Sequence, residues 1–318
     1  MINSARRGGR GAPWLRRRSL WCWVFLAPQV LVFLGFVAWP TVASWYFAFF
    51  DWDGIGLPDD FVGLDNFVEV ASDPQFWNSF GNSLIYTGAL VIIVVPTSLV
   101  MALILNSKVV AGRTAYRVAL VLPVVLTSAV VGLQMKNIFA TQGGVVNNLL
   151  EGLGVITDPV AWLDVGPAAM AVVIMVGAWK TFGVKMIYWL AGIQTVPTEL
   201  NEAAEVDGAS RWQRFRLITV PLLMPFLFVI TFLQILDGLR VFDLIKTMTN
   251  GGPYFATDMV PLYIYRYAFE PSAVSNDAFA LPRYGFASAA GIFYGLATFV
   301  IAVAMAGLIR FWRGRAGT

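Results

Sequence analysis

A few polar residues interrupt the apolar stretches of this chain, and their types and spacing could do chemistry. Lys180 falls inside an apolar run, flanked by Trp179 and Thr181. Gln234, Asp237 and Arg240 follow one another at intervals of three in a later run, and Asp243 lies just beyond them. Helical neighbours at that spacing share a face. Lys136 closes a third run. Ionisable groups inside apolar spans are costly and are functional candidates by default. Amide, hydroxyl and charged side chains beside aromatic rings suit a hydroxyl-rich solute, so Gln234, Thr181 and Trp179 are candidates of that kind. The plainer alternatives are an internal Asp237–Arg240 ion pair and a Lys180 that pairs with a neighbouring subunit.

Other chemistries lack their residues. The sequence has no histidine, the commonest general base and metal ligand. It therefore cannot form a Ser/His/Asp or Cys/His constellation. Its single cysteine, Cys22, rules out an intrachain disulfide or a multi-cysteine metal site. No Gly-x-x-x-x-Gly-Lys-Ser/Thr loop is present to cradle nucleotide phosphates, so any ATP-driven function draws on another chain. The paired Asp59 and Asp60 lie in a polar connection and read as solvated acids rather than a catalytic dyad.

The elements that position these residues follow from hydropathy. Of 318 residues, 58% are hydrophobic and 13% charged, against about 25% charged in soluble domains. A spanning helix needs roughly 20 mostly apolar residues. Six segments qualify, over about 20–50, 83–105, 116–139, 165–191, 221–245 and 286–312. The expected fold is an all-α integral membrane protein with six spans.

Lys and Arg asymmetry orients the spans. Arg6, Arg7, Arg10, Arg16, Arg17 and Arg18 precede the first. Lys108, Arg113 and Arg117 lie between the second and third, Arg211, Arg214 and Arg216 between the fourth and fifth, and Arg310, Arg313 and Arg315 at the end. Residues 51–79 carry seven acids and no Lys or Arg, and 140–165 also lack Lys and Arg. Only 245–284, with Lys246, Arg266 and Arg283, departs from the pattern. Both termini are expected in the cytoplasm. The basic start reads as membrane anchoring rather than nucleic-acid binding, and the apolar run after it is too long for a signal peptide.

The connection from Pro197 to Pro221 is a polar island between two apolar runs. Thr198 is expected to cap a short helix from Glu199, with Leu200, Ala203, Ala204 and Val206 apolar. Gly208 would end it, and Ser210 with Gln213 reads as a capping box that opens a second helix. Pro221 suits the start of the next span. Glu202, Glu205 and Asp207 offer acidic contacts, and Ala203-Ala204 permits close approach. The bland reading is a solvated amphipathic connector.

Glu202-Ala203-Ala204, three residues, Gly208, nine residues, Ile218, one residue, then Val220-Pro221 resembles the EAA loop of permeases from binding-protein-dependent ABC importers. The family pattern usually ends Leu-Pro, and Val220 departs mildly from it. Further stretches resemble carbohydrate permeases of the maltose and glycerol-3-phosphate type. These are Phe61-Val-Gly-Leu-Asp-Asn-Phe67 with Asp73 and Phe76-Trp77; Tyr116 to Pro123; Trp179-Lys180 with Leu190 to Gln194 and Pro197; Arg240-Val-Phe-Asp243; Thr249-Asn-Gly-Gly-Pro253; and Tyr284 to Ala289.

The resemblance implies the helical fold of the methionine-importer permease, that of a type I ABC importer. It implies a core over 80–312, preceded by a basic tail (1–19), a first span (20–50) and an acidic extracytoplasmic segment (51–79). A coupling loop (197–221) falls within that core, and a cytoplasmic tail (313–318) follows it. Glu202, Ala203, Ala204, Asp207 and Gly208 would couple to an ATPase. Val124, Lys180, Thr181, Gln234 and Gly238 would line the solute path by that resemblance, and Asp237 and Arg240 are expected to join them as ionisable residues within a span. Asn250, Gly251, Gly252 and Pro253 would dock a binding protein or gate the path.

The implied partners are a second homologous permease, two ATPase subunits that bind ATP and Mg, an extracytoplasmic solute-binding protein, and lipid. No cofactor is expected in this chain, and no enzymatic activity. A permease for glycerol-3-phosphate or a glycerophosphodiester is the nearest alternative. A secondary transporter is more remote, since no inverted repeat is visible and the charged island would lack a purpose.

Overall fold

A computed structural model describes residues 13–107, 110–274 and 279–316. Arg6, Arg7, Arg10 and Lys108 of the basic asymmetry lie outside the described residues. The first span consists of α1 (Pro13–Phe33), a π-helical turn at Leu34–Ala38 and α2 (Trp39–Phe47). Its apolar stretch Trp21–Phe47 has no buried residue, and within this chain its second half, α2, lies against the last helix. The short α3 (Asp65–Ser72) follows. Next come α4 (Pro74–Asn106), α5 (Arg113–Val125), α6 (Ser128–Ile138) and α7 (Val145–Gly152). The long α8 (Gly166–Gln194) leads to α9 (Thr198–Val206) and α10 (Arg211–Arg214). A second π-helical turn (Phe215–Thr219) joins α10 to α11 (Val220–Leu239). Finally α12 (Asp243–Met248), α13 (Val260–Phe269) and α14 (Tyr284–Ala316) close the chain.

Both π-helical turns end two residues before a proline, Pro40 and Pro221. Proline has no N–H and crowds the carbonyl four residues back. A widened turn at that place accommodates the ring without ending the helix. The expected boundary at Pro221 is corrected accordingly: Arg211–Leu239 is one continuous apolar helix.

Among the described residues five helices are long and apolar enough to cross a membrane, and the bent pair α5–α6 passes the same test when its halves are taken together. The third span is therefore not the continuous helix expected over 116–139. Its two halves meet at 97°, because Leu126 and Thr127 are both extended. The second span begins earlier than expected. Asp73 accepts from the Gln75 N–H at 2.8 Å and Pro74 takes the first helical position, so α4 starts well inside the predicted acidic segment.

The pair α4 and α8 is central to the bundle. On one side, Tyr86, Leu90 and Val94 of α4 pack with Val172, Val173 and Val176 of α8 and with Leu244, Ile245 and Met248 of α12. Toward the other end, Val95 and Ala102 meet Met186, Trp189 and Leu190 and, from α11, Leu223 and Ile230. A third cluster joins Phe76, Tyr263, Phe286 and Tyr294. Small residues bring helices together, as is usual inside membranes. A Cβ at Gly183 would lie 2.1 Å from the Leu120 carbonyl oxygen, so glycine alone lets α5 lie against α8.

Candidate functional site

Where α5 breaks, the bundle leaves a cavity of about 340 Å³. Its wall comes from Tyr86 and Leu90 of α4, Val124 and Ser128 beside the break, and Gly177, Lys180 and Thr181 of α8. Asp237 and Arg240 at the end of α11 and the turn Val241–Leu244 complete it. Lys180 donates its ammonium to the Leu126 carbonyl at 2.6 Å, a group released by the helix break. The Thr181 hydroxyl donates to the Gly177 carbonyl at 3.0 Å and keeps its lone pairs free to accept. Asp237 Oδ2 accepts from Lys185 Nζ at 2.7 Å. Arg240 has no ion-pair partner among the described residues. The cavity thus presents cationic donors and carboxylate acceptors side by side, an arrangement that can hydrogen-bond hydroxyls from both directions.

The polar island forms two short helices locked in register. The helix starts at Thr198 itself, and its cap position is Pro197 without a side-chain bond, so the expected Thr198 cap is corrected. At the other end, Ala209 N–H reaches Ala204 O at 2.9 Å and Gly208 N–H reaches Glu205 O at 3.1 Å, with Gly208 at φ +80°. These are the paired bonds of a Schellman C-cap. The Ser210–Gln213 capping box forms as expected, with bonds of 2.7 and 3.3 Å. Arg214 of α10 bonds Glu205 of α9, which fixes the angle between them. Helix α9 has no buried residue, and Val206 is 88% exposed. Glu202, Ala203, Asp207 and Gly208 are exposed, and Ala204 is half-buried.

On the far side of the bundle, Thr249–Asp258 folds over a buried ion pair. Arg266 Nη1 meets Asp258 Oδ2 at 2.9 Å, with side chains 3% and 0% exposed. Ser79 donates to the same carboxylate at 2.9 Å, and Arg266 Nη2 donates to the Asn250 carbonyl at 2.7 Å. Burial pushes the Asp258 carboxyl above the usual range, and Arg266 and Ser79 pull it back only in part. A Cβ at Gly251 would lie 2.3 Å from Arg266 Nη2, and its φ is +80°. Only glycine meets both conditions. The Asn78 and Asn82 amides both donate to the Phe255 carbonyl, and Tyr254, at φ +47°, is 99% exposed.

Residues 69–314 match the family described as binding-protein-dependent transport system inner membrane component. The chain belongs to that family. Among relatives, a probable starch degradation products permease of Thermoanaerobacterium thermosulfurigenes is 31% identical over 80% of this chain and 85% of its own length. A lactose permease of Rhizobium radiobacter is 31% identical over 78% and 83%. A trehalose/maltose permease of Thermococcus litoralis is 33% identical over 77% and 82%. In structure, the permease matches a chain of a bacterial ABC transporter that imports the acidic polysaccharide alginate. The TM-score is 0.77 at 27% identity, covering 92% of this chain and 96% of that one. A chain of the alginate transporter bound to its periplasmic protein matches with TM-score 0.76. The permease is thus an all-α integral membrane protein with the type I importer fold.

Five of the seven expected path residues meet at the cavity: Val124, Lys180, Thr181, Asp237 and Arg240. Gln234 and Gly238 do not. Gln234 is fully buried with both amide atoms unpaired, and Gly238 lies against Thr87 of α4. The spacing of three misled here. At about 100° per residue, each step falls about 60° short of a turn, so Gln234 and Arg240 diverge by about 120°. The alternative of an internal Asp237–Arg240 pair is corrected as well, since Asp237 is held by Lys185. Lys185 was missed, although a second lysine inside an apolar helix is itself the signal. In the loop Thr249–Asp258, Asn250 is exposed, Gly251 is buried, and Gly252 and Pro253 are half-buried. The side chain most displayed there is Tyr254.

Proposed function

We propose that this permease is one subunit of an ATP-driven importer of a carbohydrate, pairing with a second homologous permease. Two ATPase subunits would bind ATP and Mg and supply the energy, and an extracytoplasmic binding protein would deliver the solute. The observation that carries the reading is α9: a helix with no buried residue, capped rigidly at its far end and braced by the Glu205–Arg214 ion pair against α10, which is continuous with the fifth span. An unburied, braced helix suits a surface that a partner grips. Glu202, Ala203, Ala204, Asp207 and Gly208 are the proposed coupling residues, and movement of α9 would pass directly into α11 and the cavity end at Asp237 and Arg240.

Saccharide names among the relatives favour a carbohydrate over glycerol-3-phosphate. Both termini and the 197–221 loop are proposed to face the cytoplasm, with 51–79 and Thr249–Asp258 outside. Asn250 to Pro253, with Tyr254, form the proposed docking or gating surface. Alternating access would expose the cavity first outward and then inward.

The test is a cross-link. With Cys22 replaced by serine, Ala203→Cys should cross-link to a cysteine placed in the ATPase groove, and ATP should change the yield. No cross-link in an assembled complex would overturn the assignment.

A further inference from the structure

Lys185 lies five residues beyond Lys180 on α8, with its side chain 3% exposed. It does not line the cavity, yet its Nζ sits 2.7 Å from Oδ2 of Asp237, which does. The pair is asymmetric: the Asp237 side chain is 54% exposed. An ion pair that serves only to staple two helices can be replaced by apolar side chains without loss, and nothing in stapling requires its acid to stay open to a cavity. Here one carboxylate oxygen is taken by a buried ammonium, and the second has no partner among the described residues. A carboxylate accepts through both oxygens, so a fixed Oδ2 orients a free Oδ1. The Thr181 hydroxyl, its own hydrogen spent on Gly177, adds a further acceptor on the same wall.

We propose that Lys185 is a positioning residue for solute recognition: it holds Asp237 so that the free carboxylate oxygen accepts hydrogen bonds from the hydroxyl groups of a carbohydrate in the cavity. The proposal rests on the carbohydrate reading above. Lys185 acts through Asp237 and does not touch the solute.

The test uses the full complex of permeases, ATPases and binding protein, locked with a non-hydrolysable ATP analogue. Retention of radiolabelled lactose, maltose and trehalose is then counted on filters. Lys185→Met should cut retention at least tenfold, and Lys185→Arg should restore it to within about threefold. The exchange Lys185→Asp with Asp237→Lys keeps a pair but moves the carboxylate off the cavity; it should assemble and retain no sugar. Asp237→Asn, which leaves a carboxamide oxygen for Lys185, should also cut retention at least tenfold. Native retention in the exchanged variant, in Lys185→Met or in Asp237→Asn would overturn the proposal. A native complex that retains none of the three sugars would instead overturn the carbohydrate reading beneath it.

Discussion

Lys180 donates its ammonium to the main-chain carbonyl of Leu126 at 2.6 Å, across the break between α5 and α6. This contact connects three features that look separate in the sequence. A broken span frees a carbonyl, which in a membrane must find a donor within the protein. The donor is a lysine of the neighbouring helix, and it lines the cavity together with Val124 and Ser128, which flank the break. Lys180 thereby has an acceptor within the chain, and its ammonium has further N–H groups to donate.

Replacing Lys180 with methionine should leave the Leu126 carbonyl unpaired, a cost of about 1–3 kcal/mol. The expected result is a lower melting temperature of the purified complex together with reduced uptake. Arginine at the same place should recover part of the stability. An unchanged melting temperature for Lys180→Met would show that the contact does not stabilise the break.

Gly183→Val tests the α5–α8 contact. Its Cβ would fall 2.1 Å from Leu120 O and 2.7 Å from the Val121 Cα, both main-chain atoms that cannot rotate away. Overpacking of this kind typically costs about 1–3 kcal/mol, so the variant should express poorly or melt several degrees lower. Gly291→Ala, where a Cβ meets nothing within 4 Å, is the matched control.

Beneath the loop Thr249–Asp258, Arg266→Met would strand the buried Asp258 carboxylate. Losing one partner of a buried pair costs about 3–5 kcal/mol. Because Arg266 also holds the Asn250 carbonyl, the loss should appear as protease cleavage within Thr249–Asp258. Resistance equal to the native protein would show that the ion pair does not hold the loop.

Much of the fold was legible because membrane spans are written in hydropathy. The long α4 and α8 and the capping box at Ser210 follow from residue types alone. The break at Leu126–Thr127 did not, because no glycine pair or mid-helix charge marks it, and Pro123 lies within α5 rather than at the bend. Within the cavity, composition picked out Lys180, Asp237 and Arg240 but could not say which cation meets which acid. That depends on how α8 is rotated against α11, a tertiary fact that gave Asp237 to Lys185. Gln234 was misplaced for the same reason, since helical spacing orders residues around an axis without fixing which neighbour the face meets.

The N-terminal end of α4 gives a pH expectation. Asp73 accepts from the hydroxyls of Tyr263 and Tyr267 on α13. Burial first, and then Asp73, push both phenols upward. A raised phenol favours its protonated form in the fold. Its contribution is therefore complete below the ordinary tyrosine value of about 10 and fades only as pH climbs through the raised one. Protease resistance of the α13 region should stay constant from neutral pH to about 10. A loss of resistance beginning near pH 8 would contradict it.

The α9 loop is proposed to link another protein's ATP hydrolysis to movement of this permease. The most direct measurement is the number of ATP molecules hydrolysed per solute imported in reconstituted vesicles, for the native complex and for Glu202→Lys. The account predicts that the variant assembles and hydrolyses ATP, yet imports at least tenfold less solute per ATP. An unaltered ratio in the assembled variant would contradict it.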